Sequence, residues 1–307
     1  MSLRVVTDPA EPGAALGASC AIGNFDGVHL GHQAVLDRAR GGGPLAVMTF
    51  EPHPREHFGP PAEPFRLMSP QAKASRLAKL GVEVLYQLDF ARIAPLSAEA
   101  FGARVLAPLG LSRAVVGEDF RFGKGRAGDG AMLEALGRAH GFETVLVPLR
   151  AAGGEEISST RIREALSEGR PRDAARMLGH WHRIEGEVLH GEKRGRTLGF
   201  PTANLSIEGL HRPRFGVYAV TVDVLEGPHA GTHMGAASLG LRPQYGGEVP
   251  NLETFLLDFS GDLYGTRISV GLVEFIRPEA TFPSEEAFVA RMHADVEEAR
   301  AALAETA

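Results

Sequence analysis

The apolar pattern changes kind near residue 170, and this change limits the folds open to the chain more than any other feature. Before that point, apolar runs alternate with stretches of helical periodicity. The apolar runs are Ser19–Asn24, Leu45–Phe50, Val82–Asp89, Arg113–Gly117 and Thr144–Leu149. The helical stretches are Gly31–Arg40, Pro70–Leu80, Ala98–Pro108, Gly130–His140 and Thr160–Glu168. Apolar strands that alternate with helices predict a doubly wound parallel sheet with both faces covered, which is an α/β domain.

After a break at Glu168–Arg172 and a short helical stretch at Asp173–Leu178, the apolar period becomes two. The alternating runs are His182–Leu189, Val217–Leu225, His233–Leu239, Leu252–Phe259 and Ile268–Phe275. Closely spaced strands without helices between them predict an antiparallel β-barrel. Residues 284–303 predict a terminal helix, capped by Ser284, whose stripe of Phe288, Met292 and Val296 covers the barrel. The 307 residues therefore divide into predicted domains 1–180 and 181–307.

Bulk composition narrows the function classes. A net charge of −6 argues against a broad grip on nucleic acid but leaves small anionic ligands open. The single cysteine, Cys20, cannot form an internal disulfide, and its apolar neighbours predict a buried strand position. The first residues lack an apolar signal core, and no apolar run is long enough for a membrane span. We expect a cytoplasmic protein without membrane partners; no sequence pattern bears on its oligomeric state.

The segment Gly23–His32 (GNFDGVHLGH) follows the first long apolar strand and opens a helix. Its glycines permit a tight turn, and His29 and His32 are spaced to face one ligand across the first helical turn. The helix N-terminus adds backbone N–H donors and partial positive charge, so the pattern favours a triphosphate. A zinc pair is an alternative, but zinc needs further ligands and the chain has no HExxH motif. Two solvated loop histidines are the other alternative.

A second helix start, Ile157–Arg163 (ISSTRIR), combines hydroxyl caps with cations. Arg161 and Arg163 oppose the helix dipole in a first turn, and a bound phosphate would remove that conflict. A charged surface helix with an imperfect cap is the alternative. The stretch Gly117–Asp129 contains GxGxxG and resembles a P-loop, yet its spacing from the strand fits neither motif. We interpret that stretch as a basic loop beside a substrate.

The barrel half contains a glycine-rich basic run, His190–Leu205, that ends in Pro-Thr-Ala-Asn. Such a run can fold over phosphates, with Lys193 and Arg196 as donors. Thr202 and Asn204 lie at alternate positions of an extended segment, so their oxygens point the same way, as two Mg²⁺ ligands would. The alternative is a basic hairpin with a structural asparagine turn.

Glu253 is a carboxylate within an otherwise apolar strand segment, Asn251–Asp258. Charged residues are rarely placed in such strands without a purpose. An alcohol is a poor nucleophile at neutral pH, so a nearby carboxylate that accepts its proton is useful. The alternative is a surface glutamate paired with a cation, and the neighbouring apolar residues leave the face of Glu253 open.

The first half resembles the nucleotidylyltransferase half of prokaryotic bifunctional riboflavin kinase/FMN adenylyltransferases, through GNFDGVHLGH, TFEPHP (49–54), GEDFRFGKGRAGD (117–129) and ISSTRIR. In that superfamily the histidines and the ISSTxxR segment hold the ATP phosphates. The resemblance implies that FMN phosphate attacks the α-phosphorus and that pyrophosphate leaves, so alignment and charge stabilisation would be the catalytic tasks. The resemblance implies catalytic roles for His29, His32 and Arg163. It places Asn24, Asp26, Ser159, Thr160 and Arg161 at ATP.

The second half resembles the riboflavin kinase module, through GEVLHGEKRGRTLGFPTANL (186–205), GVYAV (216–220), LGLRP (239–243), LETFLLDFSGDLYG (252–265) and RPE (277–279). The resemblance implies that Glu253 is the catalytic base and that Thr202 and Asn204 bind Mg²⁺ and ATP. Three residues depart from the family pattern. Gln244, Phe255 and Arg291 stand where Thr, His and Gln are usual, and they bear on flavin affinity. The implied pathway converts riboflavin to FMN and FMN to FAD, with ATP as co-substrate in both steps.

Two other hypotheses compete with a bifunctional enzyme. One keeps only one half active. The other is a flavin- or ATP-binding sensor without turnover, but a sensor has no need for a metal pair beside a base. Glu253 together with Thr202 and Asn204 therefore favours an enzyme.

Overall fold

The computed structural model describes residues 3–8, 17–59, 63–148, 151–152, 155–190, 199–244 and 247–305. The chain divides into two compact units. The first comprises Met1–Ala62 and Pro70–Ser158, and the second comprises Glu63–Ser69 and Ser159–Ala307. The boundary between the predicted domains, at residue 180, rests on the sequence pattern alone, and it stays a prediction.

The first unit is built on a six-stranded, fully parallel sheet. Its strands are β1 (Arg4–Val6), β2 (Ser19–Ile22), β3 (Leu45–Glu51), β4 (Val84–Asp89), β5 (Arg113–Gly117) and β6 (Glu143–Val147). Its helices are α1 (Leu30–Ala39), α2 (Pro54–His57), α3 (Pro70–Lys79), α4 (Phe90–Ile93), α5 (Ala98–Phe101) and α6 (Gly130–His140). A two-stranded hairpin, β7 (Ala151–Ala152) with β8 (Glu155–Glu156), completes it. The predicted α/β class is confirmed; β1, only three residues long, was not predicted.

Strand order makes β2 the centre of this sheet. The order is β1-β4-β3-β2-β5-β6, so the chain leaves β2 toward β3 on one side and returns to β5 on the other. Ligands of doubly wound sheets bind at the carboxyl ends of the strands where the order reverses. The loop after β2 occupies that position, and it is the GNFDGVHLGH segment. Cys20 on β2 is fully buried, as predicted, and burial raises the pKa of its thiol.

The predicted helix Ala98–Pro108 is divided in the structure. After α5 the chain makes a π-helical turn at Gly102–Leu106 and a 3₁₀ turn at Ala107–Leu109. Gly102 explains part of this, because a Cβ there would lie 2.6 Å from Leu136 Cδ2. Pro108 has no N–H to continue an α-helix. Close packing of α6 therefore overrides the helical propensity of the segment.

The second unit is a curled, six-stranded antiparallel sheet with helices. Its strands are β9 (His182–Glu187), β10 (Thr202–Ser206), β11 (Gly216–Val224), β12 (Gly231–Gln244), β13 (Gly247–Leu256) and β14 (Arg267–Arg277). Its helices are α7 (Ser159–Ser167), α8 (Pro171–Leu178) and α9 (Glu285–Ala304). The order is β10-β13-β12-β11-β14-β9, and a bridge between Leu189 and Asn204 links the two end segments. The predicted antiparallel barrel with a terminal helix is confirmed.

The barrel strands alternate between an inner core and an outer face covered in part by α9. Leu252 and Leu256 belong to the inner core, whereas Phe255 packs with Ala299 and Leu303 of α9. Ser284 caps α9 as predicted, since its side chain accepts a hydrogen bond from Ala287 N. The apolar stripe is displaced from the predicted one. Val296 joins the contact with the barrel, but Phe288 contacts Phe282 instead.

Among the helices that the structure describes, none is long and apolar enough to cross a membrane.

Candidate functional sites

The loop after β2 has an unusual backbone. Phe25, Gly27 and Val28 all have positive φ, at 51°, 85° and 44°. Such angles are strained for Phe and Val, and strain of this kind persists only where surrounding structure enforces it. The side chains of Phe25 and Val28 are fully buried, so packing holds the loop. Asp26, predicted to bind ATP, is also buried, with 4% exposure.

The two histidines stack at the start of α1. Their ring centroids lie 3.7 Å apart with planes inclined by 17°. His29 is the N-cap residue, and its Nδ1 accepts a hydrogen bond from His32 N at 3.3 Å. Gly31 makes this possible, because a Cβ there would lie 3.0 Å from the His29 ring. The predicted pair therefore lies together at a helix N-terminus, where backbone dipoles favour an anion.

His32 is held as a neutral imidazole. Burial, the neighbouring His29 and the Lys73 ammonium all lower the pKa of His32 well below its usual value. Its ring also contacts Phe25, with centroids 4.9 Å apart. A neutral ring donates a hydrogen bond through one nitrogen and accepts through the other. At neutral pH, His32 can thus donate to a phosphate oxygen without contributing a full charge.

The sequence patterns did not predict a buried ion pair that lies next to these histidines. Lys73 Nζ lies 2.9 Å from Glu51 Oε1, with 3% and 14% of the two side chains exposed. Lys73 Nζ also donates to Thr49 Oγ1 at 3.3 Å, and Thr49 Oγ1 lies 2.9 Å from the carbonyl oxygen of Asn24. A signal was present, since Glu51 ends a largely apolar strand. Its partner on α3 could not be found from spacing alone.

The ISSTRIR segment spans the division between the units. Ile157 belongs to the first unit, where its carbonyl oxygen lies 3.9 Å from the position a Cβ on Gly31 would take. Ser159, Thr160, Arg161 and Arg163 form the first turns of α7, which starts at Ser159 in the second unit. Within that unit Arg163 Nε donates to Phe65 O at 2.5 Å, and its guanidinium lies over the Phe65 ring.

The loop Gly117–Asp129 is closed on itself rather than wrapped as a nucleotide loop. Phe122 and Gly128 exchange two backbone hydrogen bonds of 3.1 and 2.9 Å. Lys124 and Arg126 stand exposed on a 3₁₀ turn between them. The loop follows β5, the neighbour of β2, so it reaches the same edge of the sheet as the histidine loop.

In the barrel, strand register brings the predicted kinase residues together. Asn204 on β10 pairs directly with Glu253 on β13, and Thr202 pairs with Phe255. Paired residues of antiparallel strands share a face, and so do residues two apart. Thr202, Asn204 and Glu253 therefore lie on one face, opposite Leu252 of the inner core. This resolves the face of Glu253, which the sequence pattern left open.

Hydrogen bonds tie this group together. Thr202 Oγ1 donates to Glu253 Oε2 at 3.5 Å, and Asn204 Nδ2 donates to Thr202 O at 3.3 Å. Asn251 Nδ2 donates to Asn204 Oδ1 at 3.2 Å. Because Thr202 Oγ1 is the donor in its hydrogen bond to Glu253, the lone pairs of that oxygen are not used by this bond. Asn204 Oδ1 is a neutral oxygen on the same face. Neutral oxygens of this kind fit Mg²⁺ that takes its other ligands from substrate phosphates and water.

Among the described residues, no group of three or more His, Cys, Asp or Glu side chains is placed to hold a metal ion. Lys193 and Arg196, predicted donors of the basic run, lie outside the described residues.

The three departures from the family pattern have different surroundings. Phe255 makes an edge contact with Phe200 at 5.2 Å between centroids, and Phe200 contacts His293 of α9 at 4.9 Å. Arg291 binds Asp295 and Glu298 on its own helix. Gln244 is the last residue of β12 and pairs with Gly247 across the hairpin. Phe255 thus joins an aromatic wall beside Glu253, whereas Arg291 belongs to an ion-pair network.

The parallel-sheet unit has a histidine pair at a helix N-terminus. The barrel has a carboxylate beside two neutral oxygens. Together these features define a two-part group-transfer enzyme. A family model described as FAD synthetase matches residues 12–161, and one described as riboflavin kinase matches residues 178–303. A bifunctional riboflavin kinase/FMN adenylyltransferase of Pseudomonas fluorescens is 41% identical, covering 95% of this chain and 94% of that protein. The protein of that name from Escherichia coli K12 is 40% identical, with coverage of 91% and 90%.

The chain belongs to the family of bifunctional riboflavin kinase/FMN adenylyltransferases, as its sequence motifs predicted. A solved structure described as a macrolide-efflux protein from Streptococcus pneumoniae has the same fold. It is 30% identical with a TM-score of 0.83, covering 98% of this chain and 99% of that one. Shared fold does not transfer function, so that description carries no argument about activity here.

Proposed function

We propose that the barrel phosphorylates riboflavin to FMN and that the α/β unit adenylylates FMN to FAD, each with ATP. The observation that carries the proposal is that relatives of that dual name match the chain over nine tenths of its length. The stacked histidines at the start of α1 and the pairing of Glu253 with Asn204 support it within each unit. The chain is thus an enzyme of flavin cofactor biosynthesis. Residues 1–180 and 181–307 are proposed as the domains, and a cytoplasmic location is the matching expectation.

The kinase step is a phosphoryl transfer to an alcohol. Glu253 accepts the proton of the ribityl 5′-hydroxyl as its oxygen forms a bond to the γ-phosphorus, and ADP leaves with the electrons of the broken bond. Thr202 and Asn204 would hold Mg²⁺, which neutralises phosphate charge when bound. The hydrogen bond from Thr202 orients the carboxylate of Glu253. Lys193 and Arg196 are proposed to cover the ATP phosphates.

The adenylylation step has a different nucleophile. A phosphate oxygen of FMN forms a bond to the α-phosphorus of ATP, and the bond to the β-phosphate breaks as pyrophosphate leaves. The nucleophile is already an anion, so no proton must be removed, and catalysis consists of alignment and charge stabilisation. We assign this task to His29, His32 and Arg163. Asn24, Asp26, Ser159, Thr160 and Arg161 are assigned to ATP binding.

Chromatography of products tests both steps together. Purified protein incubated with riboflavin, ATP and Mg²⁺ should yield FMN first and FAD later. If only FMN forms, the adenylylation assignment fails. If neither product forms while flavin or ATP still binds, the chain is a sensor rather than an enzyme. Supplying FMN directly isolates the second step, since it bypasses the kinase site.

A further inference from the structure

Lys73 is a buried cation on α3 that the proposed chemistry does not use. Its side chain is only 3% exposed. Lysine is almost never buried at this level unless it is paired, because a desolvated charge is costly. Glu51 supplies that pairing at 2.9 Å. An apolar pair of similar volume would serve stability equally well, so the charge calls for another reason.

The hydrogen bonds that lead from Lys73 to Asn24 allow only one assignment of donors and acceptors. An ammonium can only donate, and a carbonyl oxygen can only accept. Thr49 Oγ1 lies 3.3 Å from Lys73 Nζ and 2.9 Å from Asn24 O. The hydroxyl must therefore accept from Lys73 and donate to Asn24. A neighbouring cation polarises the hydroxyl and strengthens the bond that it donates.

Asn24 is the point from which the strained loop departs. It is the second residue after β2, and the positive-φ residues Phe25, Gly27 and Val28 lead from it to His29. Thr49 lies near the end of β3 and is fully buried. The chain of contacts thus fixes the loop at Asn24, near its start, from the neighbouring strand. It also brings a positive charge near His32, whose lowered pKa is due in part to Lys73.

We propose that Lys73 is a positioning residue for adenylyl transfer, which acts through Thr49 on the carbonyl of Asn24 and so holds the loop that carries His29 and His32. This inference rests on the proposed function of the first unit. It assigns no contact between Lys73 and substrate. Glu51 keeps the ammonium charge balanced, and Thr49 transmits its position to the loop.

Two pairs of variants separate positioning from plain stability. Thr49→Val removes the hydroxyl, whereas Thr49→Ser keeps it. Lys73→Met leaves Glu51 buried without its cation, whereas Lys73→Met with Glu51→Gln removes both charges together. Lys79→Met is the matched control, because Lys79 is exposed on the same helix. Each protein is assayed for FAD formation from supplied FMN and for FMN formation from riboflavin. The latter reports on the second unit alone.

We expect Lys73→Met and the double variant to lower kcat for FAD formation by about 30-fold, and Thr49→Val by about tenfold, as misplaced catalytic groups do. Thr49→Ser should recover most of the rate, and Lys79→Met should match wild type. The NMR titration of His32 should move to higher pH in the double variant, because the nearby ammonium is gone. Thr49→Val keeps both charges, so its lower kcat separates loop positioning from this electrostatic effect.

Wild-type rates in the folded double variant would overturn the proposal, because Lys73 would then only balance Glu51. Equal rates for Thr49→Val and Thr49→Ser would also overturn it. If Lys73→Met does not fold, the double variant and Thr49→Val still decide. Failure of wild-type protein to convert FMN to FAD would instead refute the proposed function, so the two failures are distinguishable.

Discussion

The two sites differ in how the chain builds them. The site in the first unit depends on a loop with strained backbone angles at a helix N-terminus, held by buried side chains and a buried ion pair. The site in the barrel depends on strand register, which places Glu253 opposite Asn204 on a regular sheet face. This difference between the sites matches the difference between the nucleophiles of the two proposed reactions. A phosphate anion needs alignment in a field of dipoles, whereas an alcohol needs a carboxylate at a fixed distance.

The strongest way to break this comparison is to remove the proposed base. Glu253→Ala should lower kcat for FMN formation from riboflavin by about 1,000-fold, since a general base contributes on the order of 10² to 10⁴. FAD formation from supplied FMN should stay within about twofold of wild type, because we propose that the two sites act independently. Steady-state assays of both reactions measure the effect. Glu253→Gln keeps the shape of the side chain without its charge, and a near-normal rate in that variant would refute the role of base.

Removal of one histidine tests the other site. His32→Ala should lower FAD formation from FMN by about 100-fold, the effect of losing one donor to developing charge. FMN formation from riboflavin should be unchanged. Initial rates with each flavin substrate give the comparison. Equal loss of both activities would contradict two independent sites.

Buried charges also distinguish the units. Asp295 of α9 is 4% exposed and lies between Arg277 of β14 and Arg291 of its own helix. Arg277 Nε and Nη2 contact the carboxylate at 2.8 and 2.7 Å. This network fastens α9 to the barrel, whereas the Lys73–Glu51 pair lies next to the loop that we propose for adenylyl transfer.

Asp295→Ala should therefore destabilise the second unit. Loss of the buried carboxylate leaves two half-buried guanidinium groups, which costs about 3 kcal/mol and lowers Tm by roughly 6 to 12 °C. Thermal unfolding followed by circular dichroism, with riboflavin kinase activity after heating, measures it. Glu298→Gln is the control, because that carboxylate is 48% exposed and its pair with Arg291 should contribute less than about 1 kcal/mol. Similar Tm values for the two variants would count against the network.

The smallest expected effect concerns pH. His182 on β9 is buried, and burial, with His211 and His180 nearby, lowers its pKa to about 3. The unfolded chain has the ordinary value of about 6.5, so it binds a proton first as the pH falls. His182 thus stabilises the folded state fully above pH 6.5, and stability is lost by about 1.4 kcal/mol per pH unit between roughly 6 and 4. Urea unfolding at several pH values across that range measures the free energy of unfolding. In His182→Gln this free energy should fall less steeply with decreasing pH than it does in wild type. Identical slopes would contradict the assignment.

Periodicity predicted both folds because it records which faces are buried. The alternation at Leu252, Thr254 and Leu256 is such a record, although Phe255 obscured the face of Glu253. The sequence predicted that Thr202 and Asn204 share one face, because residues two apart on a strand do so whatever the tertiary structure. Lys73 could not be predicted, since its contact with Glu51 depends on how α3 packs against β3. The division of the helix at Gly102 also depends on packing, against Leu136.

The most direct test of two separate and consecutive sites is to mix two full-length variants, each of which lacks one of the two activities. Glu253→Ala and His32→Ala proteins are each incubated with riboflavin, ATP and Mg²⁺, alone and together, and products are followed by chromatography. Alone, the first variant should give almost no flavin nucleotide, and the second should accumulate FMN. Mixed, they should form FAD after a lag in which free FMN builds up. A mixture that accumulates FMN but forms no FAD would contradict the account, because it would show that one chain needs both of its sites intact.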